Sequence, residues 1–173
     1  MVKEPDTFYK QIARTIAEYG RQIMCVEGDH KSAAFYYSIG NLLRGAPELL
    51  IIGNFEHKAA AKIINVLSDQ MLEAGRRYTN GQRVNPFDGT HDMQVWDTTP
   101  IAKMQYTRQV TEFLKSLEGT PGLPTDYTVQ QVVLPDPKGR YPTDKRCHRR
   151  YRVPVLRPTA DLMAEAMQST KVH

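Results

Sequence analysis

Hydrophobic positions along this chain fall into two periods. From Phe8 to Tyr19 the apolar residues Phe8, Ile12, Ile16 and Tyr19 recur at near-helical spacing. Asp6 or Thr7 is placed to cap that helix, and Gly20 to stop it. The period then shortens. Three β-prone runs follow, Gln22–Val26, Ala33–Ile39 and Glu48–Ile52, parted by the polar turn at residues 27–32 and by the connection from Gly40 to Pro47. The second run, Ala-Ala-Phe-Tyr-Tyr-Ser-Ile, does not alternate, which predicts a strand covered on both faces or a barrel wall. Beyond Gly53-Asn54, helical spacing returns over Glu56–Ala74. Ala60, Ile63, Ile64, Leu67 and Met71 form one stripe, with Gly75 at the C′ position.

The second half is less regular. Residues 76–92 are polar and turn-rich and read as a surface loop, and Met93–Trp96 as a short strand. Thr99-Pro100 reads as an N-cap followed by proline at the first helical position. Val110, Phe113, Leu114 and Leu117 carry that helix to Leu117, and the glycines and prolines of 119–124 end it. Tyr127–Leu134 reads as a strand alternating between Thr128, Gln130 and Val132 on one side and Val129, Gln131 and Val133 on the other. Pro135–Pro142 is a turn, and a short helix is expected near Thr159–Gln168. The pattern predicts one α+β domain over residues 1–173: a mostly antiparallel sheet with flanking helices, with a partly closed (split) barrel as a variant. Residues 1–20 form its N-terminal helix, and 158–173 its C-terminal helix and tail.

Composition changes little in this picture. Hydrophobic residues make up 40% and charged residues 24% of 173, with a mild net charge of +4, which is ordinary for a soluble globular chain. No apolar run approaches the length of a membrane span, and the amphipathic start does not read as a signal peptide. A cytoplasmic protein is expected, with Cys25 in a buried strand and Cys147 in a basic loop, both reduced. Strand edges in so small a sheet make a homodimer a further expectation.

One segment departs from that ordinary charge balance. Residues 138–157 carry eight lysines and arginines against the single acid Asp144, a net +7. Tyr141, His148 and Tyr151 interleave with the cations. Such a segment can contact phosphate or nucleic acid through Arg140, Arg146, Arg149, Arg150 and Arg152. It can equally be a solvated loop whose arginines pair with acids of the fold. Its prolines argue against a groove-reading helix.

No catalytic signature emerges, and no catalytic or metal residue is assigned. The five histidines include no i, i+4 helical pair and neither cysteine has a C-x-x-C partner, so a structural zinc site is not expected. Ser38 lacks the G-x-S-x-G elbow. Both nucleotide glycine fingerprints are absent. Glu56-His57 opens a helix and reads first as capping, although a helix start can receive phosphate. Asp29-His30 and Asp136 with Arg140 read as turn formers.

Two stretches carry a family resemblance. Phe35-Tyr-Tyr-Ser-Ile-Gly40 followed by Pro47-Glu-Leu-Leu-Ile-Ile-Gly53 resembles the F-x-Y-T-I-G-L … H-P-E-L-x-x-x-G pattern of domain of unknown function 4262, an uncharacterised bacterial and phage family. Leu134 to Asp144 resembles that family's late W-P-D-x-x-G-x-F-P-W segment. The similarity spans roughly residues 17–157. Asn41 stands in place of the family's leucine, Ala46 in place of its histidine, and Leu134 and Thr143 in place of tryptophans. The resemblance implies fold rather than activity. The expected function is a non-enzymatic binding or interaction protein, a phage or bacterial accessory factor with a host protein as partner.

A looser architectural similarity is to flavin-reductase-like split barrels. It implies FMN or another nucleotide beside strands two and three, with Tyr37, Ser38, Ile39, Gly40, Asn54 and His57 as contacts and an oxidoreductase as the alternative function. Nucleic-acid or phosphate binding through 138–157 is the third reading.

Overall fold

The computed structural model describes residues 5–158, with side chains from Thr7 onward. The helix expected near Thr159–Gln168 lies outside the described residues. The first half folds as its periodicity predicts. Helix α1 spans Pro5–Tyr19, one turn longer at its start than expected. It is followed by strands β1 (Gln22–Val26), β2 (Phe35–Ile39) and β3 (Glu48–Ile52), and by helix α2 (His57–Ala74). The stripe of Ala60, Ile63, Ile64, Leu67 and Met71 is buried, and Gly75 closes α2 in the left-handed conformation at φ 65°.

The second half differs in three places. A short strand β4 (Gln82–Val84) lies inside the expected loop and pairs antiparallel with β5 (Met93–Asp97). The last strand, β6 (Val129–Val133), is buried at every position rather than alternating. It runs through the middle of the sheet, parallel to β3 and antiparallel to β5. Gln130 and Gln131 tolerate that burial because Gln130 Nε2 donates to Tyr78 O and Asp97 Oδ1, and Gln131 Nε2 donates to Pro154 O. Finally, the helix expected to run from Pro100 to Leu117 is two helices, α3 (Pro100–Tyr106) and α4 (Arg108–Ser116).

The fold is α+β. Its six-stranded sheet has the order β1-β2-β3-β6-β5-β4, with β3–β6 the one parallel pair. The sheet is open, with β1 and β4 at its edges, so the barrel variant is not adopted. Helix α2 covers one face, over Tyr36, Leu49, Ile51, Val95 and Val132. The other face lies in a second core with Ile12 of α1 and Val110 and Phe113 of α4, over Tyr37, Ile39, Leu50, Ile52 and Val129. Two covered faces explain why β2 and β3 read as unbroken apolar runs. No helix among the described residues is long and apolar enough to cross a membrane.

Candidate functional site

The break between α3 and α4 lies beside an apolar cleft. Thr107 causes the break. The residue is fully buried, and its Oγ1 donates back to Lys103 O at 2.6 Å and lies 3.0 Å from the Tyr127 hydroxyl. These bonds hold Thr107 at φ −115°, ψ 39°, outside helical geometry. Tyr127 reaches both helices, because its hydroxyl also stands 2.9 Å from Thr111 Oγ1 and bonds Thr107 O. Lys103 closes the corner. Its Nζ lies 2.9 Å from Asp126 Oδ1 and from Tyr127 O, and 4.5 Å from the centre of the Tyr127 ring.

Between α3, α4 and the loop 117–127 this leaves a cleft of about 590 Å³. Pro100, Met104, Leu114, Leu117, Leu123 and Pro124 supply its apolar lining, and Lys103, Thr111, Lys115, Glu118 and Asp126 its polar groups. On the adjoining face of α3, Ile101 and Met104 stand one turn apart and are 79% and 65% exposed. Thr99 caps the helix that presents them, accepting a hydrogen bond from Ala102 N, with Pro100 at the first position as expected.

A second cluster is buried except for Asn65 and Asp69 at its rim. The Glu48 carboxylate accepts from Ser38 Oγ at 2.5 Å, from Gly40 N at 2.8 Å and from Leu42 N at 3.0 Å. Asn41 Nδ2 donates to Pro47 O and to Ser68 Oγ on α2, while Arg21 donates to Asn41, Asn65 and Asp69. Burial pushes the Glu48 carboxyl up to about 7, against the donors from Ser38, Leu42, Gly40 and Asn41 that favour its charged form. The cluster joins the end of β2, the start of β3 and the middle of α2. A family model for a domain of unknown function (DUF4262) matches residues 15–148, 134 of the 173 residues. The chain belongs to the DUF4262 family. No curated protein and no solved structure matches it.

Seen on the fold, the DUF4262 pattern around Ser38, Gly40 and Pro47-Glu48 is this buried knot. Asn41, in place of the DUF4262 leucine, is fully buried yet has partners on both sides, Arg21 and Ser68. Ala46, in place of the DUF4262 histidine, borders two shallow cavities of about 220 and 270 Å³. The late DUF4262 segment makes a second knot. Asp136, 1% exposed, accepts from Lys138 N, Arg140 N, His148 N and the Arg140 guanidinium. Burial alone would raise its carboxyl, but those donors hold it well below the usual carboxylate range.

The six residues expected to hold a flavin do not meet in one place. Tyr37 and Ile39 are buried in the core with α1 and α4. Ser38 and Gly40 belong to the Glu48 knot. Asn54 Oδ1 accepts from Ala34 N near the other end of β2. His57 is exposed at the start of α2, beside Cys25 and Glu27. Both sheet faces are covered here, and among the described residues β2 and β3 direct these side chains to different surroundings. Among the basic residues, Arg140 is paired with Asp136 and Arg146 with Asp144. Arg152 donates to Cys147 O and Lys145 O, Arg150 donates to Asn54 O, and Arg149 is exposed. Two of these guanidinium groups thus pair with nearby carboxylates, Arg152 braces the segment's own backbone, and Arg150 ties the segment to Asn54.

The cysteines exchange the environments expected of them. Cys25 is exposed because β1 is an edge strand whose last residues stand clear of the core. Cys147 is buried beneath the basic loop, with Sγ 3.4 Å from Arg140 O. The cleft residues were not singled out from the sequence. Thr107 lies inside a stretch that reads as one helix, and its role depends on Tyr127, twenty positions away.

Proposed function

We propose that this chain is a non-enzymatic binding protein that receives a bulky apolar side chain of a protein partner in the cleft between α3, α4 and the loop 117–127. One observation carries the reading: an apolar cleft adjoins a helix face that exposes Ile101 and Met104. Its volume falls in the range of ligand sites. Large apolar side chains exposed beside a concave surface mark interaction sites, and methionine adapts well to such contacts. Lys103, Lys115, Glu118 and Asp126 supply a mixed-charge rim around an apolar centre, the usual anatomy of a protein interface.

The flavin reading has less support, since its six contacts are dispersed. The phosphate or nucleic-acid reading has less as well, since four of its five arginines are engaged within the segment or with Asn54. The test compares partner capture by the full chain, by Met104→Glu and Leu123→Glu variants, and by an Arg149, Arg150 and Arg152 triple alanine variant. A specific partner retained by the triple variant and lost with either glutamate substitution supports the proposal. Capture that is indifferent to both glutamates, or that fails only in the triple variant, overturns it.

A further inference from the structure

Cys25, Glu27 and His57 come together outside the cleft and outside both buried knots. They are 32 positions apart at the extremes of the cysteine–histidine pair, and β1 and α2 bring them to one point. Ile23 of β1 packs toward the α2 core and Met24 toward the other. The period-2 pleat therefore puts Cys25 on the α2 side, and Glu27, just past the strand, continues that row. His57 is the first residue of α2. Its ring packs edge-on against Tyr36, centroids 5.5 Å apart, and Tyr36 is the cross-strand neighbour of Cys25.

The donor atoms converge on one ring nitrogen. Cys25 Sγ lies 3.6 Å from His57 Nε2, and Glu27 Oε1 lies 3.5 Å from the same Nε2. All three ligand atoms are within 4.8 Å of one another. One ring nitrogen carries at most one proton, so it cannot both accept from the thiol and donate to the carboxylate. A cation at the centre satisfies all three. Zinc bonds of about 2.3 Å to sulfur and about 2.0–2.2 Å to nitrogen and oxygen, arranged as a tetrahedron, place neighbouring donors roughly 3.4–3.6 Å apart. The Cys25–His57 and Glu27–His57 separations fall at that spacing.

We propose that Cys25, Glu27 and His57 form a three-ligand zinc site at the junction of β1 and the N-terminus of α2. A thiolate, an imidazole and a carboxylate together suit zinc rather than calcium or magnesium, which take oxygen ligands. The Glu27 and His57 side chains are 80% and 58% exposed, so the fourth position faces solvent and takes water or an incoming donor. Ligation through Nε2 leaves the ring proton on Nδ1. The site also ties an edge strand to the helix that covers it.

The test uses the full chain freed of metal by chelation and titrated with cobalt(II) as a spectroscopic stand-in, then with zinc in competition against a chromophoric chelator. The expected result is one ion per chain, with tetrahedral cobalt bands and a thiolate-to-cobalt charge-transfer band that zinc abolishes. Cys25→Ser removes the charge-transfer band. Glu27→Gln and His57→Gln each weaken zinc binding at least about tenfold. Cys147→Ser leaves both spectrum and stoichiometry intact. All three proposed ligands are exposed, and circular dichroism of each variant checks that the fold is kept. The proposal is overturned by absence of the charge-transfer band in wild type, by its survival in Cys25→Ser, by its loss in Cys147→Ser, or by zinc affinity unchanged in both glutamine variants.

Discussion

The Tyr127 hydroxyl lies 3.0 Å from Thr107 Oγ1, and this pair decides where the helix breaks and where the cleft opens. A tyrosine delivered by the loop before β6 meets a buried threonine at the junction of α3 and α4. Without that partner, Thr107 is an ordinary residue in a stretch whose apolar positions read as one helix.

Tyr127→Phe keeps the ring and its contact with Lys103 but removes the hydroxyl shared by Thr107 and Thr111. We expect a loss of about 1–2 kcal/mol in unfolding free energy, with weaker amide protection across residues 103–111. Denaturant unfolding and hydrogen exchange measure both. Protection lost only at distant elements would contradict the role given to Tyr127.

The Glu48 carboxyl titrates in the folded protein at about 7, above its ordinary range. The folded state therefore holds a proton that the unfolded state has released. Its contribution to stability is greatest below the unfolded value near 4.3 and declines as pH rises to about 7. Glu48→Gln cannot titrate. The stability of Glu48→Gln relative to wild type should rise by about 3 kcal/mol between pH 4 and pH 8. Unfolding curves for both proteins at several pH values give this difference, and a flat difference would refute the assignment.

Gly40 has φ 134°, and a Cβ there would meet Gly20 O at 2.8 Å. Neither backbone can yield without disturbing the Glu48 knot, in which Gly40 N is one of the donors. Gly40→Ala should destabilise the protein by about 2–4 kcal/mol. Gly45→Ala makes a useful comparison: it has φ 75° but open space around it, so it should cost less in the same melting experiment.

Asp136 and Asp144 stand in the same segment, and both are held below the ordinary carboxylate range. Asp136 is buried among four donors, whereas Asp144 chiefly serves the exposed Arg146. Asp136→Asn should therefore lower the melting temperature more than Asp144→Asn. The Asp136 contribution is present above the unfolded carboxylate range and disappears as pH falls through the depressed folded value. The gap between the two variants should narrow in strong acid.

Much of the fold was legible because it rests on local period. The stripe of α2, the bounds of β1 and β3, the Thr99-Pro100 start of α3 and the Gly75 stop are all written in neighbouring residues. The burial of Gln130 and Gln131 was not, because it depends on β6 lying between β3 and β5. The flavin positions were drawn from an analogy of element order. They separated because β2 is covered on both faces and its two ends face different clusters. Cys25 and Cys147 exchanged environments for the same reason: exposure follows from strand position and loop packing rather than from residue type. The cleft and the Cys25–Glu27–His57 cluster both arise from residues distant in sequence, which no local pattern reports.

The proposal of a protein-binding cleft is tested most directly by site-specific photo-crosslinking. A benzophenone amino acid is placed in turn at Met104 and Lys115 in the cleft, at Arg149 in the basic segment and at the exposed Tyr19 of α1, and each protein is irradiated in lysate of its source cells. We predict one discrete protein adduct from Met104 and Lys115 and none from Tyr19 or Arg149. Adducts confined to Arg149, or formed equally at all four positions, would contradict the account.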